Sequence, residues 1–120
     1  DPVSPDYVHA TPEMLAEVIK KHPRLKLIAA HMGGIGCEQD VLDLLCGKQI
    51  YLDTSHAGSF AYRQPMLHKI LDKHDPALIL YGSDCPWSEQ VNEQNFVKQA
   101  PISNRYKEDI FWNNAMRLIK

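Results

Sequence analysis

No part of this sequence runs apolar for the roughly 20 residues that a bilayer-crossing helix needs. Its opening, "DPVSPDYVHA", has no basic stretch followed by an apolar one of the kind that directs export. A soluble, cytoplasmic protein with no membrane partner is therefore expected. Positive charge is not in excess either: 13 Lys and Arg stand against 15 Asp and Glu, a net charge of −2. No basic face is left for nucleic acid or an anionic lipid surface. Cysteine is scarce. Cys37, Cys46 and Cys85 are odd in number, far apart and form no CxxC pair, which fits reduced thiols in a cytosolic chain rather than a disulfide framework.

Several signature loops are missing as well. "GGIG" follows an apolar run without completing GxGxxG, and neither GxxxxGK[ST] nor GxSxG occurs, so dinucleotide, phosphate-loop and nucleophile-elbow chemistry have no support here. Cys85 lies beside Pro86 with no base near it in sequence, which argues against a nucleophilic thiol. What is present is a chain of 120 residues, 44% hydrophobic and 23% charged, enough for one domain with a real core.

Hydrophobic periodicity and capping residues order that chain. "TPEMLAEVIKKHP" offers Thr11 as N-cap, Pro12 at the first helical position, Pro23 as a stop, and Met14, Leu15, Val18 and Ile19 on one face. "LKLIAAHMGG" reads as a buried strand over Leu25 to Ala30, ended by glycines. "CEQDVLDLLCGK" is a helix carrying Val41, Leu42, Leu44 and Leu45, with Gly47 past its end. "QIYLDTSHAG" is a second strand, "QPMLHKILDKHD" a third helix with Met66, Leu67, Ile70 and Leu71 inward, and "ALILYGSD" a third strand. Two further helices follow, the second capped by Ser103 and carrying Ile110, Phe111, Ala115, Leu118 and Ile119. Strands joined by helices of this length lie parallel, are buried on both faces and cross over right-handed, which makes an α/β fold. Three strands are few for it, since a (β/α)8 barrel needs eight over about 250 residues.

Ligand sites in parallel α/β folds lie at the carboxyl ends of the strands, and all three ends here are polar. His31 ends the first, Asp53, Thr54, Ser55 and His56 end the second, and Ser83 and Asp84 end the third. Imidazole nitrogen and carboxylate oxygen converging on one rim suit Zn²⁺, Mn²⁺ or Fe²⁺. The alternative stays open: His31 is a hydrogen-bonded structural residue and Asp84 caps a turn. His56 directly follows a strand and is a candidate substrate contact. Trp87 either walls an apolar substrate pocket or packs under the next helix. His22, His68 and His74 are read as exposed residues favoured by helix C-terminal dipoles, and His9 as a surface loop residue.

Taken together and in this order, "HPRLKLIAAHMGG", "IYLDTS", "ILYGSDCPW" and "IFWNNAMRLI" resemble the C-terminal half of the amidohydrolase-related proteins (amidohydrolase family 2). These are metal-dependent (β/α)8-barrel enzymes that include hydrolases, lactonases and nonoxidative decarboxylases of aromatic and unsaturated carboxylic acids. The resemblance implies that residues 1–120 are a single partial domain, the C-terminal part of a TIM barrel, with the three strands as its sixth to eighth. It implies that His31 binds a metal or protonates at the metal-bound water, and that Asp84 is a metal ligand and proton acceptor. The cofactor implied is a divalent metal ion, Zn²⁺ first, with Mn²⁺ or Fe²⁺ as alternatives. The activity implied is hydrolysis of a small-molecule C–N, ester or lactone bond, or decarboxylation in its place; from their own positions at the strand ends, His56, Ser55 and Trp87 are the candidate substrate-binding residues.

The family's remaining ligands are a first-strand HxH pair and a fifth-strand histidine, and no HxH occurs here. The native protein is therefore expected to be longer, this chain alone to be inactive, and its open sheet edges to be covered by a homo-oligomer or the missing N-terminal half. A nonenzymatic α/β fragment or binding module, whose acidic strand end holds Mg²⁺ or caps a turn, is the reading from another class.

Overall fold

Thr11 starts the first helix as its side chain predicts, accepting the Met14 N–H at 3.2 Å, with Pro12 in the first turn. The structure, a computed structural model, describes residues 10–120, and His9 lies outside the described residues. Helix α1 covers Pro12–Lys21, α2 Glu38–Leu44, α3 Gln64–Lys73 and α4 Gln90–Gln99. Between them run three short strands, β1 (Ile28–Ala29), β2 (Tyr51–Asp53) and β3 (Ile79–Leu80), paired in parallel in the order β1-β2-β3. The fold is α/β with a parallel three-stranded sheet, as the helix-strand alternation requires.

The register explains which face is covered. Ala29 lies opposite Leu52 and Leu52 opposite Ile79, and all three join a core with Val41 and Leu45 of the α2 region, Leu67, Ile70 and Leu71 of α3, and Phe96 and Val97 of α4. On the other face Ile28 pairs with Tyr51 and Asp53 with Leu80. Burial on both faces is not found there: Ile28 is 46% exposed. The strand expected over Leu25 to Ala30 shrinks to its two paired residues for the same reason, since Leu25 is exposed and adds nothing to the core. Helix α1 is likewise half covered, with Leu15 and Ile19 packed on the core and Met14 and Val18 facing out.

The last helical segment is not one uniform helix. Ser103 caps α5 (Asn104–Glu108) through the Tyr106 N–H, but a π-helical turn over Asp109–Asn113 separates it from α6 (Asn114–Ile119). The turn serves the free edge of β3. The Ile110 carbonyl accepts the Tyr81 N–H at 3.0 Å, and buried Asn114 donates to the carbonyls of Pro76 and Ile79 at 2.7 and 2.8 Å. Backbone groups on that edge thus find partners in a helix rather than a fourth strand, and the i→i+5 bonding of the π turn breaks the regular helical ladder where the Ile110 carbonyl turns to Tyr81.

His74 also differs from its sequence reading. It is buried rather than exposed: Nε2 bonds the Ile50 carbonyl at 2.8 Å, and Nδ1 accepts the Gly47 N–H at 3.1 Å. These partners demand a neutral ring with its proton on Nε2. Burial pushes the His74 pKa below its usual 6.5, against smaller raising effects from the Ile50 carbonyl and Asp75. The unfolded chain binds a proton near 6.5 that the folded chain resists, so this contribution is full above that value and is lost as pH falls through the lowered folded pKa. Urea unfolding between about pH 7 and about pH 5 should show stability falling with pH, and His74→Gln should flatten that slope while costing about 1 kcal/mol at neutral pH. An unchanged slope in the variant would remove His74 as the cause.

Candidate metal centre

Each strand delivers one side chain to the same rim. His31 follows β1, His56 follows β2 and Asp84 follows β3, and one ligand atom from each lies within 4.8 Å of the others. All three have left-handed backbone, with φ of 59°, 58° and 61° respectively. For residues other than glycine this conformation costs on the order of 1–3 kcal/mol each, and here it turns each side chain toward its neighbours as the chain leaves the sheet.

Asp53 and Ser55 fix the state of His31. One Asp53 oxygen accepts from the His31 N–H at 3.1 Å, the Ser55 N–H at 3.0 Å and the Ser55 hydroxyl at 2.5 Å. A hydroxyl has one hydrogen, and that of Ser55 is committed to Asp53, so its oxygen must accept from both the His31 N–H at 3.1 Å and Nδ1 at 2.8 Å. The proton therefore sits on His31 Nδ1, leaving Nε2 as a lone pair for the cluster. Ser55, expected to touch substrate, is buried behind His31 with its hydroxyl fully engaged.

His56 and Asp84 make the other half. His56 Nε2 lies 2.8 Å from an Asp84 oxygen, the His56 ring meets the His31 ring edge-on with centroids 5.0 Å apart, and Phe60 stacks behind it at 5.8 Å. His56 Nδ1 is buried without a partner among the described residues. Behind Asp84 the chain turns at once, with the Trp87 N–H donating to the Asp84 carbonyl at 2.8 Å. Trp87 does not pack under α4: it stands 81% exposed beside the rim. Thr54 ties the second and third strand exits together through reciprocal bonds with Gly82, at 3.1 and 3.2 Å.

Beneath the cluster lies a residue that no local pattern announced. Arg63 is 1% exposed; its Nη2 donates to the carbonyls of His31 at 3.0 Å and Gly34 at 3.4 Å, its Nη1 to that of His56 at 3.3 Å, and its Nε to the carboxylate of Glu38. Burial pushes the Glu38 carboxyl up, but Arg63 together with backbone N–H groups outweighs it and holds the pKa below the usual 4.5. The stabilisation this implies is present above that value and fades as pH falls through the lowered one. A buried arginine in a segment reading "FAYRQP" has no signature of its own; only its distance from water marks it.

Two imidazoles and a carboxylate form a donor set that fits a borderline divalent ion. The orphaned His56 Nδ1 and the free lone pair on His31 Nε2 are further signs of unmet bonding capacity.

A family model described as amidohydrolase matches residues 4–120. Among solved structures the chain is similar to a dihydroxybenzoic acid decarboxylase from Polaromonas sp. JS666 with bound manganese and the inhibitor 2-nitroresorcinol, at TM-score 0.64 and 20% identity over 89% of this chain and 37% of that one. It is similar to a 5-carboxyvanillate decarboxylase from Sphingomonas paucimobilis, at TM-score 0.62 and 18% identity over 87% and 36%. It also resembles a protein named amidohydrolase II, at TM-score 0.64 and 26% identity over 88% and 39%. The chain thus spans well under half the length of these proteins. A search among curated proteins found no match.

Ser55→Ala tests the lock on His31. It leaves the His31 Nδ1 proton and part of the Asp53 carboxylate without their partner, while the His31 N–H keeps its bond to Asp53, so urea unfolding should show a loss of about 1–3 kcal/mol. Nitrogen NMR of the ring should change from a single Nδ1-protonated tautomer to a mixture. Wild-type stability with an unaltered tautomer would contradict the network.

Proposed function

The chain belongs to the amidohydrolase family, matched from residue 4 to residue 120, and from that premise we propose that it carries one edge of the active site of a metal-dependent carboxy-lyase. The substrate class is an aromatic or unsaturated carboxylic acid. The observation that carries the reading is the convergence of His31, His56 and Asp84 within 4.8 Å at three parallel strand ends. The decarboxylases it resembles favour carbon dioxide loss, one of them with manganese bound. Hydrolysis of a C–N, ester or lactone bond is the second reading, favoured by the similarity to amidohydrolase II.

His31 Nε2 and Asp84 would hold the ion, with His56 beside them. When bound, a divalent ion supplies positive charge next to substrate oxygens. In decarboxylation, a proton drawn from solvent by way of His56 passes through Asp84 to the carbon bearing the carboxylate; the carbon–carboxylate bond breaks, carbon dioxide leaves, and the electron pair of that bond restores the unsaturated system. His56, 2.8 Å away, hands a proton back to Asp84. In hydrolysis the same pair takes a proton from the attacking water. Trp87 and His56 line the side from which substrate approaches, whereas Ser55 acts through His31.

The sheet face left open at Ile28 supports reading residues 1–120 as the C-terminal part of a TIM barrel, its sixth to eighth strands. Further ligands and the cover of that face come from the rest of the barrel or from a second copy.

Asp84→Asn in the full-length protein should lower turnover by about 10²-fold or more and reduce bound metal measured by elemental analysis. Carbon dioxide released from a dihydroxybenzoate supports the lyase, and turnover of a lactone or amide instead supports the hydrolase. Metal content and turnover that match wild type would end the assignment of Asp84.

A further inference from the structure

We propose that Arg63 is the positioning residue of this centre: by drawing the carbonyls of His31 and His56 toward one buried guanidinium, it sets the spacing and facing of the two imidazoles. The inference rests on the metal-centre reading above and adds a residue that touches neither ion nor substrate.

Three features lead to it. His31 and His56 both hold left-handed backbone, and so does Met32 between His31 and Gly33. Such residues return to ordinary backbone unless something over-determines them. Arg63 supplies that constraint, because the carbonyls of His31 and His56 point at its two terminal nitrogens, 3.0 and 3.3 Å away. The planar fork of five donors is what lets one side chain serve three carbonyls and a carboxylate; a lysine ammonium has three donors on a single atom and cannot span them.

The placement of the charge is the second feature. A fully buried guanidinium needs a counter-charge, and Glu38 provides it from the first turn of α2. Glu38 also accepts the Gly36 N–H at 3.1 Å, so the pair ties the loop after β1 to the start of α2. Arg63 itself sits just before α3, joining the loop after β2 to that same point. The third feature is the outcome at the rim: the two rings meet edge-on with centroids 5.0 Å apart, although 25 residues separate them in the chain.

Two variants of the full-length protein test this. Arg63→Lys keeps a cation beside Glu38 but loses the fork, and the double variant Arg63→Met with Glu38→Gln removes both charges so that neither is stranded. Manganese binding is read by electron paramagnetic resonance, and the histidine rings by nitrogen NMR without metal. Both variants should unfold cooperatively yet bind Mn²⁺ about 10- to 100-fold more weakly, with shifted or broadened His31 and His56 ring signals. Affinity within about threefold of wild type together with unchanged ring signals overturns the proposal. So does failure of both variants to fold, which would make Arg63 a purely structural residue. A wild-type protein that takes up no Mn²⁺ defeats the metal-centre reading instead, and the ring signals alone then decide the role of Arg63.

Discussion

Asp53 closes the central strand, and its carboxylate accepts three hydrogen bonds at once, from the His31 and Ser55 N–H groups and the Ser55 hydroxyl. Because β2 is paired on both sides, the four residues from Asp53 to His56 reach both neighbouring exits. Asp53 holds the exit of β1, Thr54 holds that of β3 through Gly82, Ser55 orients His31, and His56 meets Asp84. A one-residue slip in the register would turn every one of these side chains to the opposite face. The parallel pairing of Leu52 with Ile79 and Ala29 is therefore a condition for the centre as well as for the core.

The rim is built from conformations that ordinary backbone avoids. Left-handed His31, Met32, His56 and Asp84 would be costly in an isolated loop, on the order of 1–3 kcal/mol each. They persist because surrounding groups leave few alternatives: Met32 is fully buried, the Gly33 position leaves a Cβ only 2.8 Å from Val41, and the His31 and His56 carbonyls face Arg63. Gly58 belongs to the same set. A Cβ there would lie 2.1 Å from the Asn92 carbonyl, so only glycine lets the loop after His56 lie against the start of α4, where Glu93 accepts the Gly58 N–H at 2.7 Å. Strain at the site and tight packing behind it are two sides of one arrangement.

Buried charge follows the same logic. Arg63 with Glu38, and Glu93 with Gly58 and Ser59, are ionisable groups removed from water, and each is met by a counter-ion or by hydrogen-bond donors. Pairs of this kind contribute little net stability compared with apolar packing, but losing one partner strands the other. They secure geometry more than free energy, which suits loops that hold His31, His56 and Asp84 close together at one rim.

Features whose physics is local could be read from the residues alone. Thr11 and Ser103 cap helices through side chains three residues from the N–H they accept, and the inward stripe of α3 repeats within four. The polar strand exits His31, Asp53 to His56 and Asp84 were legible because alternation of helix and strand makes the strands parallel and puts those ends on one rim. The family was legible too, in four segments kept in order. Tertiary structure alone decided the rest. Arg63 acts across 29 and 32 residues, His74 across 24 and 27, and Ser55 on His31 across 24. No short pattern encodes such pairs, because whether a polar side chain meets water or a distant carbonyl depends on which surface lies over it once the chain has packed. For that reason His74 turned inward, against its reading as an exposed helix-end residue, Ser55 lies buried behind His31, and Trp87 stands exposed rather than packed under α4.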